Sequence, residues 1–259
     1  MPRELSQSQS LSNAVLFSSL FLAAAILALN PDWFDRPVLQ GINRFTTNWQ
    51  FANVLAWAFT YPTVESAIVL SCIWGCWFSI TDADLRARIV SGAFAAVCAA
   101  LISYFVQWIL PTSPKPFLDP AIQLHLPAIL GDIDSLRATS FPDAHTFPSA
   151  RVTMFASLAI ALLLVRFDIG LLALACTMAA EISRICLGIH YPTNIVGSFS
   201  LAASLVWLAQ IPLGQTFGSW FVGWVRSSTA IFYICAFFLS YHIANGFQDL
   251  REIAAQLLR

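Results

Sequence analysis

Apolar residues along this chain come in long runs separated by short charged turns, and the runs predict helices that cross a bilayer. A spanning helix needs about 20 predominantly apolar residues. Runs of that kind cover 13–29, 62–80, 88–110, 148–165, 169–187 and 193–211. A further run at 228–244 fits a tilted seventh span or a helix lying in the interface. The polar, aromatic stretch at 30–61 contains a candidate interfacial helix at 34–45, and a long loop covers 111–147. The tail at 247–259 has an amphipathic pattern that predicts a helix. The expected architecture is all-α: a polytopic membrane bundle of six core helices with a candidate seventh at the C-terminal end.

Composition supports that class. Of 259 residues, 58% are hydrophobic and only 10% are charged, with a mean hydropathy of +0.71. A soluble domain carries roughly 25% charged residues, so this chain has too few to cover a water-facing surface. The net charge of −1 offers no basic field for nucleic acid, and no nucleic-acid partner is expected. The six cysteines all lie in apolar stretches. Cys72 and Cys76 share a helix face but have no further ligands nearby, so they read as packing residues and no metal site is expected. No small-x-small cleavage site follows the first run, so that run reads as a retained helix. The tryptophans and phenylalanines read as lipid contacts and interfacial belts.

Orientation follows the bias of Lys and Arg toward short cytoplasmic loops. Arg3, Arg86, Arg88 and Arg166 fall on one side, whereas Arg36 and Arg44 oppose the bias. The loops at 30–61, 111–147 and 188–192 then face outward, into the periplasm if the membrane is the bacterial inner membrane. Residues 1–12 form a cytoplasmic N-terminal segment, 13–212 the six-helix domain, and 213–259 an extra hydrophobic segment and tail.

Polar residues gather at the outward ends in three places. These are Pro111 to Phe117 around Lys115, Ser140 to Arg151, and Glu181 to Asn194. Converging span ends would bring Lys115, Arg151, Arg184 and imidazoles together. Cations hold phosphate oxygens, and a His can attack phosphorus. The start of the fourth span adds unpaired backbone N–H groups and the positive end of a helix dipole. Glu181 lies three residues before Arg184, within side-chain reach on one helix face, and reads as a partner of that guanidinium. His125 and His242 read as structural.

The segment from Ser183-Arg184 through Gly188-Ile189-His190 to Asn194 and Gly197 resembles the third signature of the type 2 phosphatidic acid phosphatase family, S-R-x5-H-x3-D. The resemblance covers about residues 50 to 212. It implies a six-helix membrane bundle with a cofactor-free site at the outer face. It further implies His190 as the nucleophile that forms a phosphohistidine, Asn194 in place of the orienting Asp, and Arg184 as a phosphate ligand. Lys115-Pro116 resembles the end of the first signature, K-x6-R-P, with Lys for Arg. Its leading Lys is missing: Trp108 stands there, with Gln107 one residue earlier. The second signature, F-P-S-[GD]-H, has two placements. Phe141-Pro142-Asp143-Ala144-His145 keeps the acid His145. Phe147-Pro148-Ser149-Ala150-Arg151 keeps the phosphate-binding Ser149 and Ala150 but replaces the acid with Arg151. The second is favoured, because it runs directly into the apolar pattern of the fourth span.

These replacements leave two functions open. Arg151 has too high a pKa to protonate a leaving alkoxide, but a diphosphate's leaving group departs without a proton. One function is therefore a lipid-phosphate or lipid-diphosphate phosphatase or phosphotransferase, with a polyprenyl diphosphate as one candidate substrate. The other is an inactive relative that binds a lipid phosphate as scaffold or partner in envelope or polysaccharide assembly. Asn194 would weaken catalysis, because an amide cannot stabilise an imidazolium by charge. A transporter would show paired halves with broken helices, and none is evident.

Overall fold

The computed structural model describes residues 7–46, 62–119, 121–122, 124, 146–247, 249, 253 and 256. Among them the chain forms nine α-helices and no strand. They are α1 (Gln7–Ala28), α2 (Asp35–Thr46), α3 (Pro62–Ser79), α4 (Ala83–Ile109), α5 (Ala150–Val165), α6 (Phe167–Cys186), α7 (Pro192–Ala209), α8 (Pro212–Ser227) and α9 (Thr229–Ala244). A single 3₁₀ turn, Pro116–Leu118, follows α4.

α5 is the central helix. It packs against α3, α4, α6 and α7 and buries residues on every side, from Val152 and Phe155 to Ser157 and Leu162. A helix apolar all round belongs in the middle of a bundle. Close approach of α4 to α5 depends on Gly92, where an added Cβ would collide with the Ala161 side chain. α1 lies along α7 through small residues: Ala14, Ala24, Ala25 and Ala28 are buried, and the Ser18 and Ser204 hydroxyls meet at 2.7 Å. Ser103 donates to Thr153 across α4 and α5 at 3.0 Å.

This interior is inverted relative to a water-soluble bundle. Serines 91, 103, 157, 198 and 204 are buried, whereas Val15, Leu22, Leu101, Phe105, Leu172 and Ile234 are exposed. Small and hydroxyl residues let helices approach within a lipid solvent that is itself as apolar as leucine. α1, α4, α6 and α7 are each long and apolar enough to cross a membrane, while α3, α5 and α9 are apolar but shorter. The chain is a membrane protein.

Several boundaries differ from those predicted. α1 begins at Gln7 and α4 at Ala83, because the serines of the first turn and the Asp82 cap extend each helix past its apolar run. The Asp82 carboxylate accepts from the Asp84 and Leu85 amides. α2 falls where the interfacial helix was expected. α8 was not anticipated: its apolar positions are interrupted by Gly214, Gln215, Gly218 and Ser219. It crosses the beginning of α4, where Ser91 donates to the Gly214 carbonyl at 2.7 Å. The loop at 125–145 and most of the tail beyond Phe247 lie outside the described residues.

The helices alternate in direction. The starts of α3, α5 and α7 and the ends of α4, α6 and α9 therefore gather at one end of the bundle. Arg86 and Arg166 lie at the other end, where Arg86 stacks over Trp77 and Arg166 reaches Ser79 at 3.4 Å.

Candidate functional site

The first end holds a cavity of about 420 Å³ lined by Gln107, Lys115, Ser149, Ala150, Arg151 and His190, and closed on one side by Ala244 to Phe247. His190 reaches it because the chain reverses at the end of α6. Gly188 takes the left-handed conformation (φ 65°) common just past a helix C-terminus. The amides of Ile189 and His190 then both donate to the Arg184 carbonyl, at 2.8 and 3.3 Å. That fold-back lays the imidazole over the last turns of α6. Its Nδ1 lies 3.0 Å from Glu181 Oε2.

Glu181 starts a chain of alternating charge. Its other oxygen takes the Arg184 guanidinium. Arg184 also donates to Glu65 Oε2 at 3.1 Å, and the same oxygen accepts from Arg151 Nε at 3.3 Å. Glu65 and Glu181 are both 0% exposed and Arg184 is 5% exposed. Charges this deeply placed persist only when paired. Among the described residues two arginines and two carboxylates balance, and Lys115 adds a positive charge to the cavity.

Lys115 is brought in by the loop that follows α4. The Phe117 amide donates to the Gly188 carbonyl at 3.1 Å, which joins the lysine loop to the histidine loop. Burial pushes the Lys115 ammonium below the ordinary lysine range. An anion needs the protonated form, so binding should fall as pH rises through that lowered value, earlier than for an exposed lysine. Titrating inorganic diphosphate affinity against pH checks this, and Lys115→Met should remove the alkaline decline. The sign for stability is opposite. Burying the charge destabilises the fold while Lys115 is protonated, and that cost disappears as pH rises through the folded-state value toward the unfolded one.

α5 opens onto the cavity with its positive dipole end. The Ser149 hydroxyl caps it by accepting from the Val152 amide at 3.5 Å. The Ser149 amide donates to Ser198 at 2.9 Å, and Gln107 donates to the Pro148 carbonyl at 2.5 Å. The first-turn amide of Ala150, which also lines the cavity, has no intrahelical acceptor, as suits an anion site at a helix start.

An outer brace holds the histidine loop. Asp35, at the start of α2, accepts from the Thr193 amide at 2.9 Å and from its hydroxyl at 2.5 Å. Burial raises the Asp35 pKa, and these two bonds only partly offset it. Arg36 and the Tyr191 hydroxyl both donate to Asp119, each at 2.8 Å. Burial works against ionised Asp119, but the Ala121 amide, Arg36 and Tyr191 outweigh it and hold its pKa below the usual range.

The expected site residues thus separate. Lys115, Ser149, Ala150, Arg151 and His190 line one cavity. Arg184 lies behind it, tied to two carboxylates. Ser149 spends its hydroxyl on the helix cap. Asn194 does not orient His190: both polar atoms of its amide are buried, without a hydrogen-bond partner among the described residues. The fold-back over α6 gives Nδ1 to Glu181 instead, while Asn194 sits in the first turn of α7. Trp108 is 81% exposed, and it is Gln107 that turns inward. His145, with the first placement of the second signature, lies outside the described residues. Glu65 was not anticipated from sequence. Its only signal was an acid in the first turn of an apolar span.

Comparison with known proteins adds no relative. No family model matches the chain, and no significant match was found among curated proteins or solved structures.

Proposed function

We propose that the chain is a membrane-embedded phosphohydrolase or phosphotransferase of the type 2 phosphatidic acid phosphatase kind, acting on a lipid diphosphate through phospho-His190. One observation carries this reading. A buried carboxylate, Glu181, holds Nδ1 of a histidine that lines a cavity together with Lys115. A carboxylate on Nδ1–H fixes the tautomer that leaves the Nε2 lone pair available. Nε2 attacks the terminal phosphorus, and the bond to the bridging oxygen breaks. The lipid monophosphate leaves with the electron pair. Glu181 stabilises the charge that develops on the ring, while Lys115 and the start of α5 hold the phosphoryl oxygens. Water then attacks the phosphohistidine, releasing phosphate and restoring Nε2. The inactive-scaffold alternative drew its force from Asn194 and Arg151; Glu181 supplies the charge that Asn194 lacks, and a diphosphate needs no proton from Arg151.

The experiment is phosphate release from matched prenyl mono- and diphosphates. Arg151 cannot donate a proton, and general acid catalysis is worth about 10²–10⁴. Diphosphate should therefore be preferred by a factor of that order, and His190→Ala should release no phosphate. Equal rates on both substrates would point to a working acid elsewhere, with His145 first. No release from either would favour the scaffold.

In this proposal α1 and α3 to α7 form the six-span core, α9 is a seventh span, and the cavity opens to the periplasmic face of a bacterial inner membrane. Single cysteines at Asp84 and Trp33 should label from opposite sides of the membrane. Labelling from one side would overturn the topology.

A further inference from the structure

A second cavity, of about 390 Å³, lies along the bundle between α4 and α9. Ala93 and Val97 of α4 form one wall, Ala236 and Ile243 of α9 the other. Leu158 of α5 forms the back, and Trp224 of α8 lies at the end remote from His190. Its lining is almost entirely apolar. Ser240 donates to the Ala236 carbonyl at 2.8 Å, and Trp77 to the Tyr233 hydroxyl at 3.1 Å.

This cleft adjoins the charged cavity. Val97 lines the one and Ala100 the other, less than a helical turn further along α4. Leu158 and Met154 are about one turn apart on α5, and Ile243 and Ala244 are neighbours on α9. α9 runs from one end of the bundle to the other: Tyr233 meets Trp77 near the end of α3, and Gly246 lies against Arg151.

We infer that the cleft between α4 and α9 holds the hydrocarbon tail of the lipid whose diphosphate lies at His190. The inference rests on the proposed function and adds the part of the site that selects the substrate. Charge assigns the two ends: the cavity at His190 has Lys115, and among the described residues the cleft is lined by no charged side chain. Length fits as well. From Ile89, deep in the cleft, to Ala100 at the cavity is eleven residues of α4, roughly 16 Å at 1.5 Å per residue. A five-carbon chain would leave most of that space empty, whereas a fifteen-carbon chain would enter it. Bilayer tails are as apolar as the cleft. The cleft therefore selects by shape and holds the head group in register, without drawing the tail out of water.

The test uses the full chain in lipid nanodiscs and a fifteen-carbon prenyl diphosphate with a photoreactive group at the tail end. Labelled peptides should come from α4 and α9. Ala236→Trp, and separately Ala93→Trp on the facing wall, should cut labelling and lower the ratio of fifteen- to five-carbon turnover, each by about tenfold or more. The ratio is insensitive to a partial loss of folded protein. Label spread over the outward face of α1, as an ordinary bilayer lipid would leave it, would overturn the inference. So would labelling that neither substitution changes. If the unmodified protein turns over neither diphosphate, the hydrolase reading fails, and the labelling pattern still decides the cleft.

Discussion

Glu181→Gln is expected to lower phosphate release by about 10⁴, the scale of a carboxylate-to-amide change behind a catalytic histidine. The amide keeps the size of the side chain and can still accept from Arg184, but the lost charge also lowers stability, so the rate is read per folded protein. What it loses is the charge that fixes the His190 tautomer and stabilises the ring as phosphorus is transferred. Glu181→Asp restores the charge but shortens the reach across 3.0 Å, and should recover only part of the rate. Single-turnover phosphate release, with substrate affinity measured separately, distinguishes this from a binding defect. A Gln variant as fast as the unmodified protein would remove the dyad. Asn194→Asp, by contrast, places a carboxylate where the buried amide has no hydrogen-bond partner among the described residues, and should cost stability and bring no gain in rate.

The second large effect is on stability. Glu65→Leu removes the buried carboxylate that bridges Arg151 and Arg184. Breaking a buried pair in this way costs about 3–5 kcal/mol. Thermal unfolding in detergent should show a large fall. The double variant Glu65→Leu, Arg151→Leu returns the cluster to one guanidinium and one carboxylate. It should therefore recover much of the loss, as coupled neighbours do. If the double variant is as unstable as the sum of its parts, Glu65 does not bridge the two arginines.

The apolar helices were legible in the sequence because lipid exposure writes itself as uninterrupted apolar runs. α2 was legible too: Asp35, Arg36, Gln40 and Arg44 alternate with Val38, Leu39 and Ile42 at helical spacing. α8 was not, because glycines and polar residues between its aromatic positions lower the local hydropathy of a helix that lies across the bundle's end. The residues around the cavity were largely legible, since Lys115, Arg151 and His190 each stand at a span end. Their partners were not. Sequence spacing ties His190 to Asn194 four residues on, whereas the turn at Gly188 carries the ring back to Glu181, nine residues earlier. Glu65 was hidden because an acid in a first helical turn is favoured by the dipole alone. Only the approach of α3 to α6 shows that it bridges two cations.

The brace from α2 bears on the order in which the molecule is made. Asp35 and Arg36 enter the membrane region early in synthesis. The acceptor of Arg36, Asp119, arrives 83 residues later, and the donor to Asp35, Thr193, arrives 158 residues later. Until α7 is in place, a carboxylate that ends up 1% exposed has no backbone amide to bind. A nascent chain that stops before Thr193 therefore carries an unmet polar group near its first hairpin, a chemical mark of incompleteness that the finished protein hides.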